Sequence, residues 1–339
     1  MRYLILLGAV AAAIAGYYAY WQSLADGLTA GAEQWIAERR AQGYEVEYRG
    51  MRVHGFPFRL TMDIEAPRIA DPTHALAWDW RADWATGYLQ PWNLTHVILV
   101  VDGEQHVAWT EAGKRQAVKL LAEDTRASAI FDRSGALKRY QGAMQNAELE
   151  IADVGPASFA SAQVAGRNNN GEDETRPPGS VDLGLKVAEL TLPPVAGGAL
   201  GREVGRAMLT AFLPIPPPTD VTEPAVTAWR DGGGTIDLRD VELAWGPLEI
   251  KGDGAASLDA ELRPEGKLRA EIRGYDATLD ALAAAGSIRD DDVNTAKFAL
   301  SLVAKPGPDG RPFVTTPLSA REGRLFIGPA PILSLPPLF

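Results

Sequence analysis

Hydrophobic residues follow three rhythms along this chain. Leu4 to Trp21 is an 18-residue run whose only ionisable side chains are tyrosines. It is apolar on every face and sits at the lower edge of the length that crosses a hydrocarbon layer about 30 Å thick. From Leu24 the rhythm becomes helical: Leu24, Leu28, Ala32, Trp35 and Ile36 recur at three- and four-residue steps, while Glu33, Gln34, Glu38 and Arg39 take other faces. One helix is therefore expected to run on to about Gln42, with Gly43 as its stop. The stripe is expected to pack on the protein's own sheet. The alternative is a helix lying along a membrane surface, against which stands a polar face poor in lysine.

Beyond Gly43 the period drops to two. Phe58, Leu60, Met62 and Ile64 alternate with Arg59, Thr61, Asp63 and Glu65, which predicts a half-buried strand. Leu76, Trp78, Trp80, Ala82 and Trp84 share one face of the next segment, opposite Asp79, Arg81 and Asp83. Trp92 to Val101 is apolar on both faces, as in a central strand, and Ala147, Leu149 and Ile151 alternate with Glu148 and Glu150. Asp132-Arg133-Ser134-Gly135 is a turn signal. Many short strands separated by Gly and Pro predict an antiparallel meander.

Asn168 to Ser180 has almost nothing to bury and is expected to be an exposed, disorder-prone loop. Leu200, Val204, Met208 and Phe212 are four apart and predict a second amphipathic helix ended by Pro214. Pro214, Pro216, Pro217 and Pro218 make a stiff connector. Alternation then returns in Ile236 and Leu238, in Leu258, Ala260 and Leu262, and in Leu268, Ala270 and Ile272. Asp276 is placed to cap a short helix carrying Leu279 and Leu282 and ended by Gly286. An apolar residue before Gly-Pro recurs in Val154-Gly155-Pro156, Trp245-Gly246-Pro247 and Ile327-Gly328-Pro329, at intervals of 91 and 82 residues. This hints at a duplicated β unit, with chance recurrence of a common dipeptide as the competing account.

The predicted fold is mainly β with a few helices: an N-terminal transmembrane helix followed by curved antiparallel sheet in two related halves. Its parts are an anchor over 1–21, a juxtamembrane helix over 22–42, and a first β-rich region over 43–213 that includes the loop 168–180 and the helix 199–212. A proline-rich connector over 214–224 and a second β-rich region over 225–339 complete it. Arg2 and the amino terminus are the only positive charges before the apolar run, and Asp26 is the first charge after it. That asymmetry leaves the N-terminus in the cytoplasm and exports the rest. Tyr17, Tyr18, Tyr20 and Trp21 are expected at headgroup level. A cleaved signal peptide, with Ala13-Ile14-Ala15 as the cleavage site, competes with this reading but leaves a short apolar stretch and an n-region of only two residues. A buried core helix fits poorly with a run apolar all round.

Composition narrows the function. Apolar residues at 46% and charged residues at 23% are globular values, and the formal charge of −11 argues against a nucleic-acid partner. There is no cysteine, which removes disulfides, thiolate metal sites and cysteine nucleophiles. The four histidines, His54, His74, His96 and His106, have no partner at metal-ligand spacing. His96, on a strand face with Trp92, Leu94 and Ile98, reads as a hydrogen-bonded core residue. There is no nucleophile elbow, no Walker loop and no dinucleotide fingerprint. Gly232-Gly233-Gly234 reads as a flexible turn, and Asp290-Asp291-Asp292 as a solvated loop or helix start. No catalytic residue, cofactor or metal is expected.

Tryptophan is more informative: seven of nine lie within the first 109 residues. Leu76, Trp78, Trp80 and Trp84 could form a core under the first helix, an apolar groove sheltering acyl chains, or a protein-docking surface. Gly55-Phe56-Pro57-Phe58-Arg59-Leu60, the Trp245-Gly246-Pro247-Leu248 strand break, and Gly323 to Pro329 leading to Leu335-Pro336-Pro337-Leu338 resemble the uncharacterised bacterial domain-of-unknown-function family 2125. The likeness spans nearly the whole chain and implies an alphaproteobacterial envelope protein with no assigned activity. The layout of anchor, helix and long β region is also similar, in architecture alone, to AsmA-like proteins, whose sheets are implicated in lipid handling. The expected protein is single-pass in the bacterial inner membrane with its body in the periplasm. It is expected to meet the bilayer through residues 4–21 and to bind lipid or another apolar envelope component without catalysis. The alternative is a scaffold for envelope proteins.

Overall fold

A computed structural model describes residues 2–72, 77–111, 113–218, 222–286, 288–307, 310–327 and 330–339. The chain divides into two compact units, Met1–Gly135 with Ala147–Asp153, and Ala136–Asn146 with Val154–Phe339. Both are built from antiparallel strands.

The first unit begins with one continuous helix, α1 (Arg2–Ala41). At 1.5 Å per residue it is about 60 Å long. Arg39 and Arg40 in its last turn oppose the negative end of the helix dipole. Gly43, at φ 95°, turns the chain out of it, and the Arg40 guanidinium donates to the Val46 carbonyl at 3.0 Å. The helix and its stop are where the apolar rhythm put them. Its apolar N-terminal half is long and apolar enough to span a membrane and is almost wholly uncovered. From Trp21 onward the helix packs: Trp21 and Ala25 close over the fully buried Leu60, with Leu24, Leu28, Val53 and Leu89 around them.

Seven strands follow: β1 (Glu45–Glu47), β2 (Gly50–His54), β3 (Leu60–Glu65), β4 (Arg68–Asp71), β5 (Trp78–Gln90), β6 (Asn93–Glu111) and β7 (Lys114–Phe131). β3 and β4 share one edge of β5, β6 takes the other, and β7 pairs with β6. β2 lies outside β3, and β1 outside β4. The pairs Leu60↔Leu89, Met62↔Gly87 and Ile64↔Ala85 place the apolar positions of β3 against those of β5. β6 carries a bulge, since Ala82 pairs with Gln105 but Trp84 with Asp102. Gly103 sits there at φ +81°, where a Cβ would stand 2.5 Å from Asp83 Oδ2, and that same oxygen accepts the Glu104 amide at 2.8 Å. β6 is central, as the sequence suggests, but not covered on both faces: Leu94, Ile98 and Leu99 remain exposed.

β8 (Leu137–Ile151) gives residues to both units. The second unit continues with β9 (Gly155–Asn168), β10 (Val181–Thr191), β11 (Glu203–Leu213), α2 (Glu223–Asp231), β12 (Ile236–Trp245), β13 (Leu248–Leu258) and β14 (Pro264–Arg273). Then come α3 (Tyr275–Ala284), α4 (Asp290–Val303), β15 (Lys305–Pro306), β16 (Pro312–Arg321), β17 (Arg324–Ile327) and β18 (Ala330–Ser334). Each strand from β9 to β14 pairs with the next, so the meander holds. β14 then pairs with β16, because α3, α4 and β15 lie between them in sequence. The helices cover Ala270, Ile272, Tyr275 and Val314 together with Leu300. Trp229 of α2 packs on Val181, Ala211 and Leu213.

Four expectations need correction. Residues 199–212 hold no amphipathic helix; Glu203–Leu213 is strand β11, because residues four apart share a face in a strand as well as in a helix. The loop 168–180 is not uniformly exposed: Asn169 and Ser180 are buried, and the Asn169 side-chain amide donates to the carbonyls of Asp173, Arg176 and Pro177. Leu258 to Arg263 does not alternate through a strand but turns, with Asp259 Oδ1 accepting the amides of Glu261 and Arg263. Helix α2 was not anticipated, although Thr222-Glu223-Pro224 is a recognisable helix start, whereas Asp290-Asp291-Asp292 opens α4, the second of its two readings. α3 is where expected, but its N-cap is Gly274, with Asp276 in the first turn. Of the Gly-Pro sites, Gly155 opens β9 and Gly246 sits in the β12–β13 turn, whereas Gly328 and Pro329 lie outside the described residues.

Candidate functional site

Two connections meet at one end of the first unit. Because Leu60 pairs with Leu89 and Gln90 with Asn93, the β2–β3 loop (55–59) and the β5–β6 turn (91–92) lie beside each other. Gly55, at φ +109°, starts the loop, and its carbonyl accepts the Arg59 amide at 3.2 Å. Carbonyls here have no strand partner, and one stretch of α1 supplies the donors. Tyr17 Oη donates to the Pro57 carbonyl at 2.6 Å, Tyr20 Oη to Pro91 at 3.0 Å, and Trp21 Nε1 to Arg59 at 3.0 Å. The Phe56 ring packs on Tyr17, Tyr18 and Trp21 with centroids 5.9, 5.2 and 5.8 Å away. Trp21 is thus buried against its own sheet rather than standing free at headgroup level.

An open groove of about 730 Å³ runs under these connections, lined by Phe56, Phe58, Arg59, Tyr88, Trp92, His96 and Ile98. Its rim is conspicuously wet for such residues: Phe58 is 73% exposed and Trp92 64%. The Arg59 guanidinium lies 6.0 Å from the Tyr88 ring centroid. His96 is half-buried in the groove wall rather than in the core, and its Nε2 is 3.0 Å from Ser128 Oγ. A second apolar cleft of about 410 Å³ separates α1 from the loop, between Val10, Ala13, Ile14 and Tyr17 on one side and Phe56 and Pro57 on the other.

The tryptophans singled out by alternation lie elsewhere. Trp78 pairs with Asp71 and Trp109 and meets Tyr44 edge-on at 6.4 Å. Trp80 pairs with Ile69 and Val107, packs on Ala82, Ala85 and Val101, and donates Nε1 to Gln105 Oε1 at 3.4 Å. Trp84 lies across the bulge and pairs with the acidic Glu65 and Asp102. Leu76 falls outside the described residues. None of the three tryptophans lines the groove. The groove's own residues were missed because alternation finds strands. The available signal was aromatic residues placed beside Gly and Pro, where turns ordinarily carry polar side chains.

Most charged side chains on the sheet of this unit are paired with one another, although Arg39 Nε and Thr61 Oγ1 are buried without a partner among the described residues. Asp63 Oδ2 binds His54 Nε2 at 2.9 Å and Arg52 at 3.5 Å. In register across four strands stand Arg68, Arg81, His106 and Lys119. Asp79 lies 2.6 Å from Arg68, and Glu104 lies 2.6 Å from His106 and 2.5 Å from Lys119. The hydrogen bond from Lys119, aided by His106, holds the Glu104 carboxyl below its ordinary range. Among the described residues no three His, Asp or Glu side chains are placed to hold a metal ion.

The family model described as an uncharacterized protein conserved in bacteria, DUF2125, matches residues 21–336. No curated protein and no solved structure matches the chain.

Proposed function

This chain belongs to the bacterial DUF2125 family, and from that premise we propose that it is a single-pass envelope protein binding the apolar chains of a lipid, without catalysis, in the groove beside α1. The anchor is set in the inner membrane and the body faces the periplasm, on the charge asymmetry around Leu4–Trp21. The observation that carries the reading is the groove itself. It is lined mainly by apolar and aromatic side chains, holds roughly the volume of a small-ligand site, and shares Phe56 with the cleft along the apolar half of α1. The His96–Ser128 pair at its wall has no carboxylate partner among the described residues, which favours binding over nucleophilic chemistry.

Native mass spectrometry of the full chain released from nanodiscs tests this, paired with Ile98→Glu. Ile98 is partly exposed, so the substitution puts a charge in the groove with little effect on folding. The expected result is a lipid adduct on the parent protein and its loss in the variant at unchanged melting temperature. A parent protein carrying no lipid above the level of an unrelated single-pass protein refutes the groove.

A second reading, an envelope scaffold, draws on α4, where Phe298, Leu302 and Val303 are exposed on one helix. Cross-linking in cells separates the two: a protein adduct from position 298 with no lipid adduct from position 98 favours scaffolding.

A further inference from the structure

We infer that the 55–59 loop and the 91–92 turn are inserted into the outer leaflet of the membrane that α1 crosses, so that the groove opens sideways into lipid rather than into water.

The first argument is position along α1. Phe56 and Pro57 touch Tyr17 and share an apolar cleft with Val10, Ala13 and Ile14, all within the apolar run that ends at Trp21. Ile14 is seven residues before Trp21, about 10 Å along the axis. A bilayer that covers Ile14 therefore fills this cleft and reaches the loop on its other side. The second argument is independent and concerns polar groups. Backbone that enters hydrocarbon must have its N–H and C=O groups satisfied internally. Pro57 and Pro91 have no N–H to satisfy. The carbonyls of Pro57, Pro91 and Arg59 each accept a bond from an α1 side chain, and that of Gly55 accepts one from Arg59. The third is charge. In a chain of 44 acidic residues, Gly55 to Arg59 and Gln90 to Leu94 contain none. Their one cation, Arg59, has a stem long enough to reach the headgroups while its base stays in apolar surroundings. Exposed Phe58 and Trp92 are then the membrane-facing tips.

This inference rests on reading α1 as an anchor, but it does not need a ligand in the groove. The chain contains no cysteine, so single cysteines at Phe58, Trp92 and, as a control, Lys114 can each carry an environment-sensitive fluorophore. Lys114 is exposed and sits at the opposite end of the long β6. The full-length variants are reconstituted in vesicles of phosphatidylethanolamine and phosphatidylglycerol with brominated acyl chains. The expected result is a blue shift and loss of emission at positions 58 and 92, with neither at 114. Quenching at 58 and 92 no greater than at 114 overturns the inference, as does shielding that depends on protein concentration and not on bromine, which would identify a second copy as the occupant. Repeating the measurement in Ile98→Glu separates the two proposals. Quenching that persists there belongs to the leaflet. Quenching abolished there came from lipid in the groove, and leaves that reading standing while this one falls.

Discussion

Glu242 shows how a single residue ties stability to acid pH. It sits between Lys251, 2.5 Å away, and Arg206, 3.1 Å away, with its side chain mostly covered. The hydrogen bond from Lys251 outweighs the opposing effect of burial and lowers its pKa below the ordinary 4.5. The folded state therefore holds fewer protons on this group than the unfolded state does. Its contribution is complete above pH 4.5 and is lost as pH falls through the lowered folded value. Glu242→Gln removes that dependence. The variant's melting temperature should lie below the parent's at neutral pH, and the gap should start to close at about pH 4.5 and vanish below the lowered folded value, as followed by calorimetry across a pH series. Asp259 belongs to the same class: burial opposes its charge, but bonds from Arg263 leave its pKa lowered, so the acid transition is shared between turn and strand.

At the scale of elements, turns decide more than strands do. Gly274 ends β14 and caps α3 at φ +67°, and a Cβ there would stand 1.8 Å from the Pro247 carbonyl oxygen in the β12–β13 turn. Gly286 has a similar φ of +70° after α3 but open space around it. Both alanine variants should suffer the left-handed penalty of about 1–2 kcal/mol. Only Gly274→Ala adds a backbone collision, so it should unfold at a clearly lower denaturant midpoint than Gly286→Ala. A difference within error would show that the two turns yield to each other. The same scale explains the misread β11. The apolar residues Val204, Met208 and Phe212 satisfy periods of 3.6 and 2 alike. Local pattern is silent there, and pairing with β10 and β12 on both edges settles it. α2 was hidden differently: with Val226 its only buried residue, a nine-residue helix has little stripe to detect, and Trp229 secures it by donating to the Ile215 carbonyl at 3.2 Å.

For the whole molecule, the proposed membrane orientation is the quantity to test. The bias of positive charge at the N-terminus predicts that a phosphatase active only outside the cytosol, fused after Phe339, is active in cells. Activity instead from a reporter that works only in the cytosol would invert the topology and remove the periplasmic reading. Either result leaves intact the packing of α1 on Leu60, which depends on no membrane.

What the sequence determined by itself was whatever depends on local order. That covers the apolar helix and its stop at Gly43, the alternating strands, their antiparallel succession, and the family likeness carried by Gly55 to Leu60. Only tertiary structure decided the rest. It buried Trp21 instead of leaving it at headgroup level and packed the half-buried Trp80 against the core apart from Trp84. It also brought Phe56 and Trp92, 36 positions apart in the chain, to one groove. The physical reason is that periodicity reports which way a side chain faces along its own strand. Which strand ends coincide depends on register and on bulges such as Gly103, and those are fixed by long-range hydrogen bonds that local pattern does not encode.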